Sequence, residues 1–183
     1  MSEPGTTTQP SLAGRIGPGL VGALVAAAVL IPAMLFLAPN DGPTDTEITG
    51  YLAEQEPRVE RRSEEVIDLL MNYDADTLDE VADQMLGVST GNFREQYEEI
   101  IGKGLNEALS EASASSEGRI LQGPQVSFSS ASQAIVLAGV EQTTRSDQNP
   151  DGRTFSYLLR LTMIRNGPEW KADRIEIISG QAV

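Results

Sequence analysis

One short run of this sequence has the spacing of a metal site. Asp147, Asn149, Asp151 and Gly152 match the opening D-x-N-x-D-G of a calcium-binding loop, which places oxygen ligands at alternate positions around a tight glycine turn. The twelfth position, which should supply a bidentate glutamate, is Leu158, and the flanking segments have strand patterns. A plain hairpin loop uses the same residue types. We therefore expect a hairpin from Asp147 to Gly152 and leave calcium binding open.

Four charged residues outside this run have side chains of the types that act in acid, base or covalent chemistry. Asp173 and Glu176 belong to a predicted strand, where an odd spacing places two side chains on opposite faces. We expect them to be solvated or paired with arginine. Lys103 and Lys171 have no Ser-x-x-Lys or Schiff-base context, so no chemical role is predicted for either lysine.

The composition excludes several familiar kinds of active site. The 183 residues include no cysteine and no histidine, which removes disulfides, thiolate or imidazole metal sites and Ser-His or Cys-His pairs. Tyr73 and Tyr97 occupy apolar positions of predicted helices, and we expect them to be core aromatics rather than catalytic phenols. The sequence therefore predicts no catalytic, cofactor-binding or metal-binding residues and a protein that is not an enzyme.

The chain is strongly acidic. It has 27 acidic and 13 basic residues, for a net charge of −14. Residues 41–83 alone hold 14 acidic side chains against Arg58, Arg61 and Arg62. Such a surface repels phosphate backbones and anionic lipid head groups. Nucleic acid is therefore not an expected partner.

Residues 16–38 form an apolar run without a charged side chain. At about 1.5 Å per residue, a helix of this length crosses the roughly 30 Å hydrocarbon core of a bilayer. A removable signal peptide is the competing interpretation, but its apolar stretch should be about 7 to 15 residues. This run is longer and ends at Pro39, which is unfavourable for cleavage. We predict a single transmembrane helix.

The residues around this helix predict its orientation. Residues 1–15 are polar and read as a disordered tail, and Arg15 borders the apolar run, whereas the first basic residue beyond it is Arg58. The positive-inside rule then places the tail in the cytoplasm and the main domain outside the cytoplasmic membrane. A row of small residues, which permits close helix packing in lipid, recurs every fourth position: Gly19, Ala23 and Ala27.

A helical half follows the membrane segment. Residues 39–56 mix Pro, Gly, Thr and acids and are predicted to be an acidic linker, after which Pro57 suits the first position of a helix. The apolar positions of this helix follow three-and-four spacing: Val59, Ser63, Val66, Ile67, Leu70 and Tyr73.

Two more helices are predicted after a polar break. The second starts at Thr77, with Glu80 placed to complete a capping box, and ends near Gly87. The third runs from Ser89 or Thr90 to Ala108. Its glycines at 102 and 104 each weaken it by about 1 kcal/mol, so a bend is expected there.

The pattern then changes to the alternation of strands. Short strands are predicted at 119–122 and 125–128, and longer ones at 133–143, 153–165 and 170–178. Trp170 begins the last strand and is expected to be buried. Three helices followed by four or five antiparallel strands predict an α+β domain over residues 57–181, with the helices on one face of a curved sheet.

The order of these elements resembles the actinobacterial Mce-associated membrane proteins. The segments that carry the resemblance are Leu69-Leu-Met-Asn-Tyr-Asp74, Thr77-Leu-Asp79, Thr90-Gly-Asn-Phe-Arg-Glu-Gln-Tyr97 and the late Trp170, and the similarity extends from about residue 16 to 178. The resemblance implies a single-pass protein whose extracytoplasmic domain has the nuclear-transport-factor-like, cystatin-like cone fold, similar to the periplasmic domains of type IV secretion scaffold subunits. The family supplies no catalytic motif.

Three functional classes follow. The first is an accessory or scaffold subunit that stabilises an Mce-type lipid-import complex or, alternatively, a type IV secretion-like complex through protein contacts. The second is an extracytoplasmic carrier that binds an apolar ligand, such as a lipid, in the pocket of the cone. The third is an enzyme of the cone-fold isomerase or dehydratase kind, which would need an acid or base in that pocket. The absence of catalytic motifs and the resemblance favour the first class.

Overall fold

The structure, a computed structural model, describes residues 45–182. It confirms the predicted α+β fold and shows four helices, rather than the predicted three, and four strands within these residues. Their bounds are α1 Asp45–Met71, α2 Leu78–Val88, α3 Gly91–Gly102, α4 Leu105–Glu111, β1 Ser115–Ser130, β2 Gln133–Ser146, β3 Asn149–Asn166 and β4 Glu169–Ala182.

The predicted tail, residues 1–15, and the predicted transmembrane helix, residues 16–38, lie outside the described part of the chain. Within residues 45–182, no helix combines the length and the apolar character that crossing a membrane requires.

Helix α1 begins at Asp45, twelve residues before the predicted start at Pro57, so the predicted linker 39–56 is helical from residue 45 onward. The reason is an apolar face that starts early. Tyr51 and Gln55 precede Val59 at intervals of four residues, and all three are buried or half-buried on one side of the helix. Pro57 is exposed on the other side, where its ring costs one hydrogen bond of the helix without disturbing the packed face.

The remaining helices differ from the prediction at their ends. Helix α2 follows Thr77 as expected, but the Thr77 side chain makes no capping bond; its hydroxyl is engaged with the backbone of Asp74 instead. The same helix continues one residue past Gly87 to Val88. The predicted third helix is divided, because Gly104 adopts a left-handed φ of 87° between α3 and α4. The two-glycine segment thus produces a break rather than a bend.

The sheet is an antiparallel meander in the order β1-β2-β3-β4. Each predicted strand is present but longer than expected, and the two short candidates at 119–122 and 125–128 are one strand, β1. A shift in the β1–β2 register falls between Gln122 and Gln125. This irregularity contains Gly123 and Pro124, and it explains why the sequence pattern predicted two short strands instead of one.

The core lies between the helices and one face of the sheet, which we call the inner sheet face. In β2 the even-numbered residues from Ala134 to Gln142 are buried, and in β3 Leu159, Leu161 and Met163 are buried beside them. Val66 and Ile67 of α1 belong to the same cluster. Burial of a large apolar side chain contributes about 1.5 to 3 kcal/mol, so this layer is the main source of stability.

Two short bridges attach the helices to the sheet. Tyr73, after α1, pairs with Ser116 at the start of β1, and Ser89, before α3, pairs with Ala172 in β4. Thr90 also donates its backbone N–H to Ala172 O over 2.8 Å. The segments Leu69–Asp74 and Thr90–Tyr97, quoted above for the family resemblance, are therefore the segments at which helices join the sheet.

Candidate functional site

The run from Asp147 to Gly152 forms a tight hairpin, as predicted. Ser146 pairs with Asn149, which leaves only two residues in the turn, and Asp151 already lies in β3. The Asp147 carboxylate accepts a hydrogen bond from the Ser113 hydroxyl over 3.1 Å. Within residues 45–182, no group of three or more carboxylates is placed to hold a metal ion.

The four charged candidates are not brought together. Glu176 lies 3.9 Å from Arg160, the arginine pairing that the sequence predicts. Asp173 points instead to the start of α3, where a Cβ on Gly91 would lie 2.1 Å from its Oδ1. Lys103 donates a hydrogen bond to Glu99 over 2.5 Å, and that bond lowers the pKa of the Glu99 carboxyl. Lys171 lies 3.9 Å from Glu169.

The tyrosines are core aromatics, as predicted. Tyr97 packs against the main hydrophobic cluster and Tyr73 against a smaller one formed by Leu78, Leu109 and Ala114. Burial raises the pKa of Tyr73 to about 12 and also raises the pKa of Tyr97. Both phenols are therefore neutral at physiological pH, and neither is poised to accept a proton.

The five polar residues that are buried in the described region are all hydrogen-bonded within the chain, whereas the buried Nε atoms of Arg165 and Arg174 have no hydrogen-bond partner there. Gln142 donates from Nε2 to Ser116 Oγ over 2.7 Å, and Ser116 donates to Met71 O over 2.6 Å. Trp170, whose side chain is 2% exposed, donates its indole N–H to Gln55 Oε1 over 3.2 Å. The other two buried polar residues, Ser63 and Ser89, donate to backbone carbonyls three residues earlier.

The predicted burial of Trp170 is thus confirmed, but its partner Gln55 was missed because it falls in the segment assigned to the linker. The signal was present in the sequence. Tyr51, Gln55 and Val59 recur at four-residue intervals, which is a helical period. Arg165, at the end of β3, lies with its guanidinium 5.4 Å from the ring centre of Tyr51 and also donates to its hydroxyl. The first turns of α1 are therefore tied to the β3–β4 hairpin.

Three of the recesses on the surface of residues 45–182 have distinct linings. One, of about 440 Å³, crosses the face of the sheet that points away from the helices. A second, of about 420 Å³, lies between the starts of α2 and α4 and is lined by acidic residues that include Asp76, Asp79, Glu107 and Glu111. The third, of about 200 Å³, is lined by Arg58, Arg61 and Arg62 beside the β3–β4 hairpin. These three recesses lie at the surface of the described region, where another molecule can contact them.

No family model matches the sequence, and no curated protein matches it. Solved structures match the fold. An IcmL-like type IV secretion system protein from Legionella pneumophila subsp. pneumophila str. Philadelphia 1 superposes with a TM-score of 0.51 at 10% identity, over 78% of this chain and 94% of that chain. A protein assigned as a scytalone dehydratase from Novosphingobium aromaticivorans DSM 12444 gives 0.51 at 15% identity, over 74% and 92%. VirB8 of Agrobacterium tumefaciens gives 0.48 at 15%, over 78% and 97%.

The first two likenesses define the class of the fold, which is the nuclear-transport-factor-like cone fold. At 10 to 15% identity they establish the fold alone. The class contains secretion-system proteins and enzymes alike, so the function of this chain must be argued from its own residues.

Proposed function

We propose that this chain is a non-catalytic accessory or scaffold subunit that stabilises a multi-subunit complex of the cell envelope. The observation that carries the proposal is the composition of the space between helices and sheet. That space is filled by apolar side chains such as Val66, Met85 and Leu159, and its buried residues Gln142 and Ser116 bond to one another and to backbone. An exception among its polar atoms is Arg165 Nε, which is buried without a partner. The chain therefore offers surfaces for protein contacts more readily than a pocket for a substrate.

The particular complex is proposed to be an Mce-type lipid importer. The support is the family resemblance carried by Leu69–Asp74 and Thr90–Tyr97. Both segments form hydrogen bonds that stabilise the described domain. Asn72 Oδ1 accepts a hydrogen bond from the backbone N–H of Gly118 over 2.7 Å, and Arg94 donates one to Leu86 O over 2.6 Å. A type IV secretion-like complex is the second candidate, and the observation that favours it is the shared fold of the IcmL-like protein.

We further propose that the chain uses two contacts. The predicted helix 16–38, with its row of small residues, would pack against a membrane helix of a partner subunit, because close packing rather than burial from water drives such association in lipid. The acidic domain would supply the other contact. Two weak contacts on one chain raise avidity through effective concentration.

The proposal is tested with the full chain, tagged and captured from native membranes in a mild detergent. Ala23→Leu blocks the small-residue row, and the matched control Ala28→Leu lies about 140° around the same predicted helix. Recovery of partner subunits, identified by mass spectrometry after crosslinking, should fall with Ala23→Leu and not with Ala28→Leu. If both variants recover partners equally, and loss of the chain leaves partner abundance and lipid uptake unchanged, the scaffold proposal fails.

The proposed topology has its own measurement. The chain has no native cysteine, so a single cysteine at Gln148, which is exposed at the hairpin tip, reports the location of the domain. Labelling of intact cells with a membrane-impermeant reagent should succeed if the domain is extracytoplasmic. Protection until the cells are lysed would place the domain in the cytoplasm.

A lipid carrier remains the alternative function. The recess of about 440 Å³ on the sheet is partly apolar, with Leu121 and Leu158 in its lining. Lipid that copurifies with the full chain and is lost in Leu158→Asp, while partner recovery is unaffected by Ala23→Leu, would move this alternative ahead.

A further inference from the structure

The face of the sheet that points away from the helices, which we call the outer sheet face, carries the large apolar side chains that are exposed in residues 45–182. Leu121 is 53% exposed, Leu158 is 37% exposed and Ile178 is 45% exposed, and they belong to β1, β3 and β4. An exposed cluster of this kind, rather than a single apolar residue, marks an interaction surface.

The sequence of β2 indicates that both faces of the sheet are covered. On the inner face Val136 and Ala138 are buried, and Ile135 and Leu137 alternate with them on the outer face. A strand with one solvated face should alternate apolar with polar residues, whereas a continuous apolar run is typical of a strand that is covered on both sides. The four helices account for the inner face only.

A cavity and a protruding side chain lie next to each other on this face. Gln122, Gly139, Leu158 and Ser179 are direct cross-strand neighbours in one row over the four strands. Because Gly139 has no side chain, the row dips at β2 and forms the recess of about 440 Å³. A Cβ placed on Gly139 would find its nearest atom, Gln122 Cβ, at 3.5 Å, so a side chain can enter this space.

The charge of the outer sheet face differs from that of the remaining surface. Residues 45–182 contain 12 basic and 25 acidic residues, which makes most approaches between two copies repulsive at low salt. The residues whose register places them on the outer face include five basic and four acidic ones. They are Arg119, Arg145, Arg160, Lys171, Arg174, Glu117, Glu141, Glu169 and Glu176.

We propose that a second copy of this chain docks on the outer sheet face, with Leu158 of each copy in the recess over Gly139 of the other. The arrangement follows from a two-fold axis that lies between the two sheets and runs along the strands. Such an axis reverses the order of the strands, so β2 of one copy faces β3 of the other and Gly139 lies opposite Leu158. The contact is isologous and closes as a dimer.

The neighbouring rows are compatible with this register. One row away, Leu137 of one copy faces Arg160 of the second copy, and on the other side Glu141 faces Ser156 of the second copy. No pair of like charges is opposed in these rows, and each central ion pair, Arg119–Glu141 at 2.8 Å and Arg160–Glu176 at 3.9 Å, can stay within its own copy. These two ion pairs therefore need no partner from the second copy, whereas Arg174 Nε on the same face has no hydrogen-bond partner within its own copy.

The area is sufficient for a specific interface. Four strands spaced by about 4.8 Å and about 12 residues long give a face of roughly 19 Å by 40 Å. Two thirds of this area in each copy corresponds to a total of about 1,000 Å², the size that a specific interface must reach. The outer sheet face is thus large enough for the dimer.

A pair of single-cysteine variants tests the register directly, because the full chain has no cysteine of its own. Two differently tagged full-length chains, Gly139→Cys and Leu158→Cys, are coexpressed and oxidised in mild detergent. A disulfide between the two tags is expected. The matched control pairs Leu158→Cys with Asp83→Cys, an exposed residue of α2, which should give little product. Equal yields from the two pairs, or no disulfide in either, overturn the proposal.

A size swap separates docking from misfolding. Leu158→Ala should reduce co-capture of the second tag by roughly tenfold, as truncation of a central contact residue does. Gly139→Leu should reduce it similarly because the recess is filled. The double variant Gly139→Leu with Leu158→Ala places the larger side chain on the other side of the same contact, and it should restore co-capture. Failure of this restoration in a chain that melts normally counts against the register.

The inference does not depend on the proposed scaffold role. If Ala23→Leu abolishes capture of the partner subunits, the two tagged copies of this chain should still associate. Leu158→Ala should instead separate the two copies. If Leu158→Ala removes a different protein from the captured material and the two tags never associate, the outer sheet face docks that protein and the dimer is excluded.

Discussion

The indole N–H of Trp170 donates to the side-chain oxygen of Gln55 over 3.2 Å, and the two residues are 115 positions apart in the chain. Both side chains are buried, at 2% and 5% exposure. The bond joins the start of β4 to an early turn of α1. The segment before Pro57 is therefore part of the folded domain, and its loss should destabilise the domain.

Replacement of Gln55 with Ala should lower the free energy of unfolding by about 1 to 3 kcal/mol, because the buried indole donor loses its acceptor. Glu54→Ala, at the exposed neighbouring position, is the control and should change it by less than about 0.5 kcal/mol. Trp170 is the only tryptophan, so urea denaturation followed by its fluorescence measures both variants. Equal stability of the two would show that the bond is absent in solution.

Trp170→Ala should cost roughly 3 to 5 kcal/mol, the range for deletion of a large buried aromatic side chain. The indole also packs edge-on against Phe128, with ring centres 5.9 Å apart, so the deletion leaves a cavity beside a second aromatic ring. Circular dichroism replaces fluorescence as the measurement. An unchanged melting temperature would contradict the burial.

Two glycines provide a matched pair for packing. A Cβ on Gly118 would lie 2.5 Å from Met71 Cβ, whereas one on Gly87 would meet nothing within 4 Å. Gly118→Ala should therefore destabilise the domain by about 1 to 3 kcal/mol. Gly87→Ala, within α2, should stabilise it by about 0.5 to 1 kcal/mol because alanine is the better helix former. Chemical denaturation of both variants distinguishes close packing from backbone preference, and the same sign for both would refute the helix–sheet contact.

Alkaline conditions should weaken the domain through Tyr73. Burial raises its pKa from 10.0 to about 12 in the folded state. The unfolded chain thus loses the phenolic proton first, and stability that is complete below pH 10 is lost as the pH approaches 12. The loss amounts to about 2 kcal/mol from this one group.

The measurement is the melting temperature of the wild type and of Tyr73→Phe between neutral pH and pH 12. The variant lacks the titrating hydroxyl, so its curve should fall less steeply above pH 10, although it starts from a lower stability because it lacks the hydroxyl group that interacts with Ser116. Parallel curves would mean that Tyr73 is solvated.

Calcium should leave the hairpin unchanged. Asn149 and Asp151 are residues of β3 and not of an open loop, and Asp147 is bonded to Ser113, so the alternate ligand positions of a calcium loop are not assembled. Melting temperatures in millimolar calcium and in chelator should agree within about 1 °C, since a ligand that does not bind the folded state does not stabilise it. A calcium-dependent increase that disappears in Asp147→Asn would reinstate the site.

The periodic segments of the sequence predicted the helices and strands well, because each element has one apolar face that packs on the core. The exceptions have physical causes. Pro57 suggested a helix start. However, a proline on the exposed side of a helix costs less free energy than is gained by burying the helix face that Tyr51 and Gln55 extend. The break at Gly104 results from its left-handed backbone conformation, which only the structure shows. The composition of that segment could indicate only that the helix is weak there.

The outer sheet face was harder to predict from the sequence than the fold. The sequence pattern predicts strands that contain Leu137 and Leu158, but it gives no register between those strands. The recess exists because Gly139 of β2 lies beside Leu158 of β3, a relationship between two residues that are separated by 19 positions. What the sequence did contain was the two-sided apolar pattern of β2, which indicates a second covered face.

The unbroken course of α1 through Pro57 sets the position at which the rest of the chain leaves the domain. Its 27 residues extend about 40 Å at 1.5 Å per residue. The N-terminal end of α1, at Asp45, thus lies at one height and in one direction around the helix axis relative to the sheet. Each residue inserted between Asp45 and Gln55 would turn this end by about 100° around the helix axis, so the rotational phase of α1, as well as its length, determines where Asp45 lies relative to the sheet.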